Sequence, residues 1–228
     1  MRYDVRMTLR DRKRARIRQS LVDAATVLFE RNGYDRTTVA DIAAAADIGT
    51  RTFFSYFASK EELLFPESDH RVQATVDAIA ARGPQDTPVE VLVRALHLTG
   101  TDNDDLTDRL AVLRLRLIRE VPAVRGRALQ IQLDAQQQIA AHLAEAFPEQ
   151  LDRVRAGALV GAFVGAVTGA VQVVMEDLPP HHDPKKLRSA VEEATSVALQ
   201  PWMRLSSGAT HTGDAAASGA GQRLPTSG

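Results

Sequence analysis

The 228-residue sequence contains no cysteine. Disulfides, cysteine–zinc sites and thiol nucleophiles are therefore excluded, and a cytoplasmic setting fits. Aromatic residues are scarce, at 5% with a single Trp. Beyond residue 65 they are Phe147, Phe163 and Trp202 alone, too few to stack a flat cationic ligand. No stretch alternates apolar and polar residues with the period of a half-buried strand. The N-terminus is charged throughout and lacks an apolar core, so no signal peptide is expected. Nucleophile-elbow, phosphate-loop and helical zinc-pair patterns are missing. No enzymatic activity, cofactor or metal is expected. His181-His182-Asp183 is flanked by prolines and reads as an exposed loop. Asp102, Asp104 and Asp105 lack the glycine and closing Glu of a calcium loop.

Charge is nearly balanced overall, at −1, but unevenly spread. Residues 1–64 hold 12 Lys/Arg against 9 Asp/Glu, and the remainder holds 16 against 20. Residues 1–18 alone carry eight basic and two acidic groups. Such asymmetry suits a protein that places one end on phosphate.

What is present reads as helix throughout. Residues 1–8 form a flexible basic arm. Thr8 and Asp11 make a candidate capping box. Ile17, Leu21, Ala24, Ala25, Leu28 and Phe29 follow at helical spacing, and Asn32-Gly33 supplies a left-handed stop. Thr38 with Asp41 makes a second capping box, before an apolar stripe of Val39, Ile42, Ala43 and Ala46. Asp47-Ile48-Gly49 interrupts, and Gly49 caps a helix over 50–57 with Phe53 and Phe57 inward. Ser59-Lys60-Glu61-Glu62 makes another capping box, opening a helix to about residue 81 with irregularity at Pro66. Further helices are expected over 88–98, 105–120, from Pro122 to about 147, over 151–177 and over 184–204. From residue 206 the chain is Gly, Ala, Ser and Thr, and reads as a disordered tail.

The run Ile42-Ala43-x-x-Ala46, Ile48, Thr52-Phe53-Phe54-Ser55-Tyr56-Phe57 and Ser59-Lys60-Glu61-Glu62-Leu63 resembles the helix-turn-helix of TetR-family transcriptional regulators. With the preceding helix, the resemblance covers roughly residues 11–65. The Ala run before Arg-Thr-Phe-Phe also resembles the mycofactocin-type branch. Two departures stand out. Asp47 replaces the usual turn Gly, a position whose left-handed conformation Asp tolerates better than most residues. Phe54 replaces a common Tyr, so the hydroxyl that often meets phosphate is lost.

The resemblance implies an all-α protein. A helix-turn-helix DNA-binding domain would span 9–58, and an effector-binding and dimerisation domain 59–205. It implies a homodimeric regulator, most simply a repressor, bound to a double-stranded, near-palindromic operator. Thr50 and Arg51 are expected at base edges. Thr38, Tyr56 and Lys60 are expected at phosphates, with Gly49, Thr52 and Ser55 on the same surface. The last two long helices imply a four-helix bundle between two copies.

For the effector, an aliphatic pocket is expected from Leu92, Leu96, Leu113, Leu117, Phe163 and Val167. Arg116 and Arg119, part of a basic cluster at 114–127, would hold an anionic end. The expected ligand is acidic and lipid-like. A different reading starts from residues 156–175, which carry no charge over 20 positions. Gly157, Gly161, Gly165 and Gly169 recur every four residues there, as in membrane dimer motifs. The alternative is thus a membrane-associated helical dimer built on 156–175. Nine of the twenty are Gly or Ala, which drive insertion weakly, so a helix of a soluble bundle is preferred.

Overall fold

The computed structural model describes residues 8–100, 109–177 and 184–208. Residues 1–7 of the expected arm, the acidic loop, His181-His182-Asp183 and all of the tail beyond residue 208 lie outside the described residues. Every regular element among the described residues is helical.

Helix α1 spans Leu9–Asn32 and opens on the expected capping box. The Asp11 backbone N–H donates to the Thr8 hydroxyl at 3.2 Å, and the Thr8 N–H donates to the Asp11 carboxylate at 3.1 Å. Two orphan donors are thereby satisfied. Leu21, Val22, Ala25 and Phe29 form its buried stripe. Gly33 ends it with φ 83° and ψ 156°, a region open essentially to glycine. Helix α2, Val39–Ala45, and helix α3, Thr50–Phe53, complete a three-helix unit. Phe29, Ile42, Phe53 and Phe57 are each at most 2% exposed and form its centre.

The sequence pattern needs correction after residue 53. Helix α3 is a single α-turn rather than a helix to residue 57. Beyond it the chain tightens, because Ser55 and Tyr56 donate to the carbonyls of Thr52 and Phe53, three residues back. The helix expected from Ser59 to about residue 81 is broken. A 3-10 turn covers Glu61–Leu64, and helix α4 covers Ser68–Ala80. Pro66 disfavours helical geometry at Phe65, which takes φ −129° and ψ 47°. The expected reciprocal capping box does not form either. Glu62 instead accepts the Ala58 N–H at 2.8 Å.

Helix α5 runs Pro88–Gly100, α6 Arg109–Glu120, α7 Pro122–Ala146, α8 Arg153–Asp177 and α9 Pro184–Gly208. Pro122 occupies the first turn of α7, where its missing N–H costs nothing. Helix α9 passes through Pro201 and reaches Gly208, so residues 206–208 are helical rather than part of the expected tail. Two apolar cores result. The first joins α1–α3 to Leu63 and Leu64 of the 3-10 turn, to Leu113 and Leu117 of α6, and to Val124 of α7. The second lies among α4, α5, α7, α8 and α9, around Leu92, Leu143, Leu159 and Leu199.

Candidate nucleic-acid interface

Local signals place the candidate interface. Thr38 begins α2, and Asp47 turns the chain with φ 55°. Such a positive φ is uncommon outside glycine, and Asp is among the residues that best accept it. Gly49 then starts α3 in extended conformation, without a side-chain cap. Phe53 and Phe57 anchor this element from within, at 0% and 2% exposure. Opposite them Gly49, Thr50, Arg51, Thr52, Phe54 and Ser55 are exposed. The Arg51 guanidinium has no hydrogen-bond or ion-pair partner among the described residues.

Helix α1 fixes the far end of this short element. Arg14 donates to the Ser55 carbonyl at 3.3 Å, and its guanidinium lies 5.3 Å from the Tyr56 ring centre. Arg18 donates to the carbonyls of Tyr56 at 3.1 Å and Pro66 at 3.2 Å, and sits 4.2 Å over the Phe57 ring. An α-turn leaves its last carbonyls unpaired, and two arginines fill that need. Sequence reasoning missed both roles. The signal was their spacing of four on the face of α1 that leads into its buried stripe. The exposed Arg10, Arg12, Lys13 and Arg16 extend the same end of α1 as a basic surface.

Three residues expected at phosphates are engaged within the fold. The Thr38 hydroxyl proton goes to the Asp41 carboxylate at 2.7 Å. Lys60 donates its ammonium to the carbonyls of Tyr34 at 3.0 Å and Thr37 at 3.2 Å, and lies 4.0 Å from the Tyr34 ring centre. Tyr56 is half-buried beneath Arg14. The Ser55 hydroxyl donates to the Thr52 carbonyl at 2.7 Å. Exposed and polar without such ties are Thr50, Arg51 and Thr52.

The lysine belongs to a small polar cluster. Tyr34 donates its hydroxyl to Glu61. Burial raises the Tyr34 phenol, and the Glu61 carboxylate raises it further. Burial also pushes Glu61 upward, but hydrogen bonds from Ser59 and Tyr34 and the charge of Lys60 outweigh it, so the carboxyl sits below its ordinary value. The cluster ties the loop after α1 to the segment leaving the recognition element.

Comparison with known proteins decides the family. Residues 21–65 match the family model of bacterial regulatory proteins of the tetR family, and residues 86–199 match the MftR C-terminal domain. The chain belongs to the TetR family. The second match is the mycofactocin-type branch expected from the sequence. Over 126 residues the chain is 32% identical to the HTH-type transcriptional regulator TcmR of Streptomyces glaucescens, covering 51% of this chain and 54% of TcmR. Over 48 residues it is 40% identical to the HTH-type transcriptional regulator HbdR of Aromatoleum sp. (strain CIB), covering 21% of each. The chain thus spans about half the length, or less, of these curated relatives. In fold it is similar to a putative TetR-family regulator from Syntrophomonas wolfei, with a TM-score of 0.57, 16% identity, and 81% of this chain and 96% of that one covered.

Within this TetR-family fold, the expected effector lining does not come together. Leu92 and Phe163 lie in the second core, with Leu96 and Val167 packed against it. Leu113 and Leu117 belong to the first core instead. Arg116 and Arg119 point to solvent on the other side of α6. The reason is helical: residues 113 and 117 share a face four apart, and 116 and 119 fall off it. The rest of the basic cluster is spent on the fold. Arg114 donates to the Leu64 carbonyl at 3.2 Å, Arg125 to the Ile118 carbonyl at 3.0 Å, and Arg127 to Glu62 at 2.6 Å.

Helix α8 is long and apolar enough to cross a membrane by length and composition. The family assignment gives it another place, in the C-terminal domain, and nothing in the comparisons supports the membrane-dimer alternative. Along its glycine row Gly157 and Gly165 are exposed, and Gly161 and Gly169 are partly buried. A Cβ added at Gly157, Gly161, Gly165 or Gly169 would meet no atom within 4 Å beyond the adjoining backbone of its own helix and its chain neighbours, among the described residues. Val154 and Val173 on α8 and Val197 on α9 are 80%, 59% and 71% exposed.

Proposed function

We propose that the protein is a ligand-controlled transcriptional repressor that binds a near-palindromic operator as a homodimer in the cytoplasm. The observation that carries this reading is the exposed Thr50-Arg51-Thr52 turn, held by buried Phe53 and Phe57 at the N-terminal end of a short helix. Such a turn presents donors where the major groove offers a distinguishable pattern for each base pair. Arg51 and Thr50 read base edges, with Thr52 and Gly49 alongside. The basic end of α1 supplies the sequence-independent attraction to phosphate. Thr38, Ser55, Tyr56 and Lys60 shape the surface from behind, and their contact to phosphate is secondary to their ties within the fold.

Dimerisation uses the outward faces of α8 and α9. The glycine row admits a second backbone at close range, and the exposed valines beside it supply apolar area to bury. A lipid-like effector is held by its apolar part in the second core, near Leu92, Leu96, Phe163 and Val167, in the state that DNA binding disfavours. Its leverage equals its differential affinity for the two states.

The test is a footprint and mobility shift on the DNA upstream of the protein's own gene, at physiological salt. A two-fold symmetric footprint, bound roughly 10³-fold or more tighter than random DNA, is expected. Binding no tighter than to random sequence would reject the reading.

A further inference from the structure

Phe54 is the large apolar side chain that the recognition element exposes, at 55%. Among the described residues its ring meets only Phe53 in an aromatic contact, edge-on, with centroids 5.3 Å apart and planes at 83°. Its backbone N–H donates to the Thr50 carbonyl at 3.4 Å. Phe54 therefore lies one turn below Thr50, on the outward side that also carries Arg51. A lone exposed apolar residue elsewhere on a surface needs no explanation. This one stands on the surface proposed to enter the groove. A phenyl ring offers no hydrogen bond there, so it gains only by covering apolar surface. Among the base edges of the major groove, the apolar group is the 5-methyl of thymine.

We propose that Phe54 reads thymine in each operator half-site by packing on its 5-methyl group. The proposal rests on the DNA-binding reading above and adds a specificity-determining residue to it. Arg51 and Thr50 then read by hydrogen bond, and Phe54 reads by apolar contact, on one continuous face.

The experiment begins by enriching bound sequences from a random duplex pool with the full-length protein. Each thymine of one half-site is then replaced by deoxyuridine, which removes the methyl and keeps every hydrogen-bonding group. Wild type is expected to lose about fourfold in affinity at one position, the factor for one buried methyl group. Phe54→Ala is expected to bind the thymine and uridine forms equally at that position. It should keep wild-type preference at the positions read by Arg51. Indifference of wild type to every uridine would overturn the proposal without any variant. So would Phe54→Ala retaining the full methyl sensitivity. Uniform weakening of Phe54→Ala on all sequences, with no methyl effect, assigns the ring to deoxyribose and also overturns it. If the pool yields no enriched sequence, the DNA-binding reading itself falls, and this proposal with it.

Discussion

Arg127 of α7 donates to one oxygen of Glu62 at 2.6 Å, while the other oxygen accepts the backbone N–H of Ala58 at 2.8 Å. One carboxylate thus joins a helix of the larger domain to the residue that follows the recognition element. Both side chains are largely covered, at 30% and 25% exposure. Glu62→Ala removes one of the two side-chain acceptors of the Arg127 guanidinium, leaving Gln130 at 2.9 Å, and frees the Ala58 N–H. A loss of about 1–2 kcal/mol in urea denaturation is expected. A double-mutant cycle with Arg127→Met should show coupling of about 1 kcal/mol. Strictly additive effects would show that the pair contributes nothing of its own.

Arg51→Ala is expected to weaken specific DNA binding by about 1–3 kcal/mol and to relax preference at one base position. Titrations on operator and random duplex separate the roles. An equal loss on both would make Arg51 a phosphate contact.

Gly161→Leu and Gly165→Leu test the subunit interface apart from folding. Beyond the adjoining backbone of its own helix and its chain neighbours, neither added Cβ meets an atom within 4 Å among the described residues. The monomer fold, followed by circular dichroism, should therefore survive. Overpacking between subunits should weaken dimerisation by about 1–3 kcal/mol in sedimentation equilibrium. Two variants with wild-type dimer affinity would move the interface elsewhere.

Arg116→Ala and Arg119→Ala should leave effector-driven release of DNA within about twofold of wild type, as surface substitutions generally do. Both side chains are exposed and lie away from the second core. A large loss in either variant, measured by titrating release with fatty acid and acyl-CoA, would restore the anionic anchor expected from the sequence.

Hydrogen bonds from the Thr38 hydroxyl, then from the Thr38 backbone, hold the Asp41 carboxyl below its ordinary value. A depressed carboxyl contributes stability that is complete above its unfolded pKa, near 4, and is lost as pH falls through the lower folded value. Stability should therefore not change through this group between pH 5 and 8 and should decline in acid. Asp41→Asn should melt lower at neutral pH and show a shallower acid decline. Parallel acid profiles for variant and wild type would contradict the assignment.

The helix-turn-helix was legible because each of its signals is local. Two Thr–Asp capping boxes, Asp47 in the turn, Gly33 at a positive φ and Phe53–Phe57 at a spacing of four act within a few residues. Propensity and hydrogen-bond geometry decide them without knowledge of the rest of the chain. The all-helical class followed likewise from the lack of period-two alternation. Even Pro66 marked the place where the fourth helix breaks.

The tertiary structure decided which face meets which neighbour. Periodicity put Leu113 and Leu117 on one stripe, but a stripe has no partner written into it. The stripe went to the first core, with Leu63 and Leu64, and the expected effector lining was divided. The polar contacts followed the same rule. Lys60 stands where a phosphate contact was expected, yet its ammonium reaches the Tyr34 and Thr37 carbonyls, 26 and 23 residues away in sequence. Hydrogen-bond partners at such separations depend on how the helices pack, and packing is settled by the summed burial of many side chains. No short motif contains that sum.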